Sequence, residues 1–237
     1  MAGAPSVLVV DIGGSRVKVF ASASGESASF RSGPTFDPDS LLHRVHEVAA
    51  AWEYDVVSIG YPGPTRPGGV AGAAGNLGHG WTSFDFAGAF GRPVRVVNDA
   101  AMQALGAYDG GRMLFIGLGT GVGSTLVGER VLIPLELGCL VRPSGQTLFE
   151  QLGSEGLARQ GQAQWQARVR DACIELRAAC AVDYVVLGGG NARRVDPLPP
   201  ATRRGGNDDA FTGGVRLWLE WVEHHDAPPS DTWRVVW

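Results

Sequence analysis

Lysine is nearly absent from this chain: of its 20 basic residues only Lys18 is lysine, and all the others are arginine. A lone lysine in so arginine-biased a sequence marks its own position. Cysteine is sparse as well. Cys139, Cys173 and Cys180 are an odd set without metal-ligand spacing, which argues against a disulfide framework and against zinc, and suits a reducing compartment. No large excess of either charge is present: net charge is −4 and charged residues make up 19% of the chain. The footprint of a general nucleic-acid binder is therefore missing, while a local basic pocket for phosphate remains compatible. No apolar run approaches the ~18 residues of a membrane-spanning helix. At the N-terminus, Val7 to Val10 runs directly into Asp11 and a glycine pair, where a signal peptide would extend its apolar core. A cytoplasmic protein without membrane or nucleic-acid partners is expected.

What is present is length and hydrophobic content: 237 residues, 44% of them hydrophobic, suffice for one large or two small domains with a substantial core. Val7 to Val10 is a short β-branched run, and Arg16 to Ala21 alternates behind a turn at Gly13-Gly14, which predicts a hairpin with a third strand over 26–31. Leu41, Leu42, Val45, Val48, Ala49 and Trp52 follow helical spacing, with Asp39 or Ser40 as the expected cap. After a strand at Val56 to Ile59, the glycine- and proline-rich stretch 61–80 reads as a long loop, of a length that is usually functional when ordered. Val94 to Val97 predicts a strand, and Ala100 to Tyr108 a helix with Asp99 near its cap.

The opening plan then recurs. Met113 to Ile116, a glycine turn, Ser124 to Val127 and Val131 to Ile133 repeat the hairpin. They are followed by helices over 148–158 and 162–181, a strand at Tyr184 to Leu187 and a loop over 196–206. A last amphipathic helix is expected over 210–223. Two strand, glycine-turn, strand units predict an internally duplicated α/β chain whose halves face each other. The expected division is an N-terminal α/β lobe over 1–108, onto which a C-terminal helix (207–225) packs back, and a C-terminal α/β lobe over 109–206.

Both turns suit phosphate. Asp11-Ile-Gly13-Gly14-Ser15-Arg-Val-Lys18 offers a carboxylate at a strand end, glycines that let backbone N–H groups approach an anion, a hydroxyl and a cation. Asp11 can hold Mg²⁺ through water, as hard cations prefer. Gly117-Leu-Gly119-Thr120-Gly121-Val-Gly123 is a second such loop, and four glycines are entropically costly for a mere hairpin. Neither ends in the Gly-Lys-Ser/Thr of a Walker loop, and neither is a dinucleotide fingerprint. Two facing hairpin loops suit a polyphosphate chain lying between them.

These stretches, together with Gly60-Tyr-Pro-Gly-Pro64, Asn98-Asp99-Ala100, Glu136-Leu-Gly138 and Leu187-Gly-Gly-Gly-Asn191, resemble in sequence and order the ROK family of sugar kinases, most nearly its short, polyphosphate-glucokinase-like branch. The resemblance implies an actin-like (ribonuclease H-like) duplicated fold with a cleft between two lobes, and transfer of a phosphoryl group from polyphosphate or ATP to glucose or a related hexose. It implies that Asp99 is the general base and that Asn98, Glu136 and Glu150 bind sugar hydroxyls. Asn76 falls in a segment that closes over the sugar, with His79 and Trp81 as weaker candidates for the same pocket. Gly189 and Gly190, with Gly119, Thr120 and Gly121, would hold the donor. Arg193, Arg194, Arg203 and Arg204 would form a basic track for a phosphate chain. Cys139 stands where the family has a sugar-binding histidine, which makes a catalytically weak sugar sensor or pseudokinase the alternative. The zinc motif of longer relatives is missing. Only six residues precede the first strand, too few for the DNA-reading module of a ROK repressor. A homodimer is the default expectation.

Overall fold

Each half of the molecule begins with an apolar run that a glycine turn folds back on itself. The computed structural model describes residues 4–128, 130–206, 208–219 and 234–235. Strand β1 (Val7–Ile12) pairs antiparallel with β2 (Arg16–Ala21), which pairs with β3 (Ser27–Arg31). After helix α1 (Pro38–Val48), strand β4 (Val56–Tyr61) returns parallel to β1. A small ribbon follows, β5 (Thr65–Arg66) with β6 (Gly69–Val70), then helix α2 (Phe86–Phe90), strand β7 (Val94–Asn98) parallel to β4, and helix α3 (Asp99–Ala107). The second half repeats the order with β8 (Met113–Leu118), β9 (Val122–Gly128) and β10 (Val131–Leu135). Helices α4 (Leu148–Leu152), α5 (Ser154–Gln160) and α6 (Gln162–Ala179) lead to β11 (Tyr184–Gly188), β12 (Thr202–Arg204) and α7 (Asp209–Leu219), and β13 (Arg234–Val235) adds to the edge at β10.

The first sheet has the order β3-β2-β1-β4-β7, and the second β12-β11-β8-β9-β10-β13. Read from β10 towards β12, the second repeats the first, strand for strand, which is the expected duplication. Alternation explains the layers. Val7 and Val9 of β1, and Met113 and Phe115 of β8, join α3 and α7 in one central core. Leu8, Val10 and Ile12 face α1 and the aromatics Trp81, Phe86 and Phe90, whereas Leu114, Ile116 and Leu118 face Trp165, Val169 and Leu176 of α6 and neighbouring residues. Central strands buried on both faces read as unbroken apolar runs, which is how β1 appears in the sequence.

Helices α3 and α7 cross at two glycines. A Cβ on Gly106 would lie 1.8 Å from Asp209 O, and one on Gly213 1.8 Å from Met102 O. Arg216 Nη1 closes the end of α3 by donating to Leu105 O at 2.7 Å and Tyr108 O at 3.1 Å. Helix α7 also binds the first sheet: Ser58 Oγ donates to Gly214 O and accepts from Trp218 Nε1, whose ring lies 4.2 Å from the Arg95 guanidinium.

Several local expectations are corrected. The α1 cap is Asp37, whose carboxylate accepts from Ser40 N at 2.8 Å, because Pro38 starts the helix and needs no hydrogen bond for its missing N–H. Asn98, at the cap of α3, accepts from Ala100 N and Ala101 N, so Asp99 is the first helical residue. The helix expected over 148–158 breaks at Gly153, which is extended (φ −69°, ψ 175°) and divides α4 from α5. The stretch 61–80 contains the β5–β6 ribbon, and 196–206 is not all loop, since β12 pairs parallel to β11. The expected continuation of α7 beyond Leu219 lies outside the described residues.

Candidate active site

The chemistry-bearing residues collect at the carboxyl ends of the central strands, where open α/β sheets place their ligands. Asp11 is the penultimate residue of β1 and only 7% exposed. Lys18 stands directly opposite in the β1–β2 ladder, on the same face. Burial pushes the Asp11 carboxyl up to about 6, and the Lys18 charge opposes that rise. Asp99, at the start of α3, is pushed up to about 7, chiefly by burial and then by the charges of Asp11 and Glu136, against a hydrogen bond from Ala100 N. A carboxyl poised near neutrality is suited to accept a proton.

Glycines set the spacing of these groups. At Gly60, on β4 between β1 and β7, a Cβ would meet Met102 Cε at 2.5 Å and lie 3.4 Å from both Asp11 Oδ1 and Asp99 Cα. Any side chain there would push the two acids apart. At Gly123, at the start of β9, a Cβ would meet the Ala100 methyl at 2.8 Å, so the second glycine hairpin abuts the first turn of α3.

In the first loop, Gly13 N–H donates to Arg16 O and Gly13 O accepts from Ser32 Oγ. The second loop is held from behind. Ser154 Oγ donates to Gly119 O at 2.8 Å, and Asn191 donates from its backbone to Leu118 O and from its side chain to Ser154 Oγ. Gly189 adopts φ +77°, and a Cβ there would strike Leu118 O at 2.5 Å. The loop containing Gly189 and Gly190 is thus tied to the one containing Gly119, Thr120 and Gly121. The ring of Phe149, half exposed, covers Gly121.

Residues expected on the sugar side divide. Asn98 donates from Nδ2 to Gly63 O at 3.2 Å while capping α3, and Glu136 is close enough to act on Asp99. Cys139 is exposed at the end of the turn Leu137–Cys139, its N–H donating to Glu136 O. Glu150 sits at the third position of α4 in a capping box: its Oε2 accepts from Thr147 N at 2.7 Å and from Thr147 Oγ1 at 2.9 Å, and these bonds lower its carboxyl below the usual range. Only its other oxygen is left for a sugar. Asn76 packs on Gly14 of the first glycine loop. His79 is exposed. Trp81 is a core residue, 2% exposed and 5.4 Å from the Tyr61 ring, which corrects its placement in a pocket.

The arginine track is corrected as well. Arg203 donates to Ala107 O and packs on the Tyr184 ring. Arg204 donates to Val195 O and pairs with Asp196. Adjacent strand residues point to opposite faces, so Arg203 and Arg204 do not line one track, and Arg193 and Arg194 lie on the turn Ala192–Arg194.

Among the described residues no group of three or more His, Cys, Asp or Glu is placed to hold a metal. A buried, strand-end carboxylate such as Asp11 does fit Mg²⁺, which keeps most of its waters and binds through one or two carboxylates plus substrate phosphates.

No family model and no curated protein matches the chain. Its structural likenesses are extensive. The inorganic polyphosphate/ATP-glucomannokinase of Arthrobacter sp. strain KM superposes with a TM-score of 0.77 at 24% identity, over 92% of this chain and 99% of that one. A ROK family glucokinase from Streptomyces griseus, in complex with glucose and AMPPNP, gives 0.70 at 17% identity over 90% and 99%. A ROK hexokinase from Thermus thermophilus gives 0.60 at 19% over 90% and 98%. The chain therefore has the actin-like, duplicated α/β fold of the ROK sugar kinases. No helix of the described residues is long and apolar enough to cross a membrane.

Proposed function

We propose that this protein is a sugar kinase of the short ROK branch, transferring a phosphoryl group from ATP or inorganic polyphosphate to a hydroxyl of glucose or a related hexose. The observation that carries the reading is Asp99, a half-buried carboxyl held near neutrality at the start of α3, beside Asp11 and against the second glycine hairpin. Phosphoryl transfer needs positioning, neutralisation of charge and an acceptor for the hydroxyl proton, with little covalent work by the protein.

In this reading Asp99 takes the proton from the attacking sugar hydroxyl. Asn98 and Glu136 orient the ring, with the second oxygen of Glu150 as a further acceptor, and Cys139 shapes the same wall. Backbone N–H groups of the two glycine loops, with Ser15, Thr120 and Lys18, cradle the donor, and Gly189 and Gly190 border its distal end. Asp11 would hold Mg²⁺ through water, and the ion, when bound, supplies charge neutralisation on the phosphates. Residues 1–108 and 109–206 form the lobes that meet at this site, with the C-terminal helix belonging to the first.

The test is a matrix of hexoses against ATP and polyphosphate with Mg²⁺. A sugar phosphate is expected with at least one pair, and Asp99→Asn should lower kcat by ~10²–10⁴-fold while sugar binding persists. Full activity in Asp99→Asn would remove the base from the mechanism. Tight sugar binding with no turnover by any donor would make the protein a sensor.

A further inference from the structure

The segment carrying Asn76 is not a loose loop. Tyr61 Oη accepts from Ala74 N at 2.9 Å and donates to Gly72 O at 3.2 Å. Leu77 is buried in the aromatic core, and Gly78 N donates to Phe36 O at 2.9 Å. Asn76 is pinned from both sides, and its carboxamide rests on the first phosphate loop. An ideal Cβ on Gly14 would lie 2.0 Å from Asn76 Nδ2 and 2.8 Å from its Cγ. Only a glycine at 14 permits that contact.

Around this point stands a set of donors without acceptors. Gly13 N–H is spent on Arg16 O, but no hydrogen bond to a described residue occupies the N–H of Gly14 or Ser15, nor the side-chain amide of Asn76. Ser15 is exposed, and Lys18 brings a positive charge to the same end of the hairpin. Successive unpaired N–H groups beside a cation can form a receptor for an oxyanion. Lys18 and the free N–H groups of Gly14 and Ser15 are donors only, and a cation beside unpaired N–H groups favours an anion over a neutral sugar hydroxyl.

We infer that Asn76 serves the phosphoryl donor: its Nδ2 donates a hydrogen bond to the phosphate oxygens lying over Gly14 and Ser15, completing a nest that the hairpin alone leaves open on one side. The inference rests on the kinase reading for the identity of the anion as a polyphosphate chain. It assigns Asn76 to the opposite substrate from the sugar that the sequence resemblance implies.

The experiment is calorimetry on the whole protein, with inorganic tripolyphosphate plus Mg²⁺ as one probe and glucose as the other. Asn76→Ala should weaken tripolyphosphate binding about tenfold or more, the worth of one hydrogen bond to a charged group, and leave glucose affinity within about twofold. Asn76→Asp keeps the shape and adds a negative charge, so it should weaken the phosphate probe further. Loss of glucose affinity with unchanged tripolyphosphate binding would return Asn76 to the sugar and overturn the inference. Equal loss of both would show a purely structural role and overturn it too, as would a wild-type protein that does not bind the probe. If the probe behaves as expected but no sugar is phosphorylated, the phosphate role of Asn76 stands and the kinase reading falls.

Discussion

At Asp99 the need for a base and the cost of burial act on one carboxylate. Its raised value, about 7 against 3.8 for an unperturbed aspartate, means that the folded state binds its proton more tightly than the unfolded chain does. The favourable contribution is complete below the unfolded value and is lost as pH rises through about 7. Ionised Asp99 thus destabilises the unliganded fold above neutrality. Asp99→Asn should raise stability by on the order of 2 kcal/mol at about pH 8, an advantage that shrinks to nothing near pH 4. Denaturant unfolding of both proteins across that range checks the trend, and an advantage over the wild type no larger at high pH than at low would show that the carboxyl is not held in this state. Asp99 stood out in the sequence through the resemblance carried by Asn98-Asp99-Ala100, at a point where a strand closes and a helix opens. Which of Asn98 and Asp99 caps the helix was not legible, since both side chains can accept from the first free N–H groups and only backbone geometry separates them. The capping role of Glu150 was hidden for a similar reason: a Thr-x-x-Glu box and a sugar ligand look alike until partners are seen.

The elements most readily anticipated were those with an unbroken apolar run, β1, β8 and β11, because burial on both faces leaves no ambiguity of period. Those missed are short or atypical. Helix α2 spans only Phe86–Phe90, held by Asp85 accepting from Gly88 N, too brief for a helical period. Strand β12 is Thr202–Arg204, whose arginines suggest solvent although both are consumed by carbonyls. The crossing of α3 and α7 was unreadable because it depends on the absence of atoms. Exposed helical glycines generally gain about 1 kcal/mol on replacement by alanine. At Gly106 the sign should reverse, since the new methyl would overlap the Asp209 carbonyl. Gly106→Ala is expected to cost about 1–3 kcal/mol or more as the helices separate, and a thermal melt showing unchanged or increased stability would refute so close a contact.

Over the whole molecule the two repeats share strand order but not chemistry. In the first, β7 ends in Asn98 and leads through Asp99 into α3. In the second, the equivalent β12 leads through Gly205 and Gly206 to α7. One copy supplies the acid and the other the tie to the opposite sheet, through Ser58, Arg95 and Trp218. The duplication was visible in the glycine hairpins, while the mutual grip of α3 and α7, which sets the spacing of the halves, was not.

Lys18, opposite Asp11 in the first hairpin, is also the chain's only lysine. An amine-directed acylating reagent therefore has one side-chain target in the whole protein, apart from the α-amino group, and that target stands beside the proposed donor. Mass spectrometry should find a single internal modification, slowed when Mg²⁺ and tripolyphosphate are present and unaffected by glucose alone. Unchanged labelling with saturating polyphosphate would place the donor elsewhere. The composition of the chain thus makes its own occupancy sensor, with no engineered label.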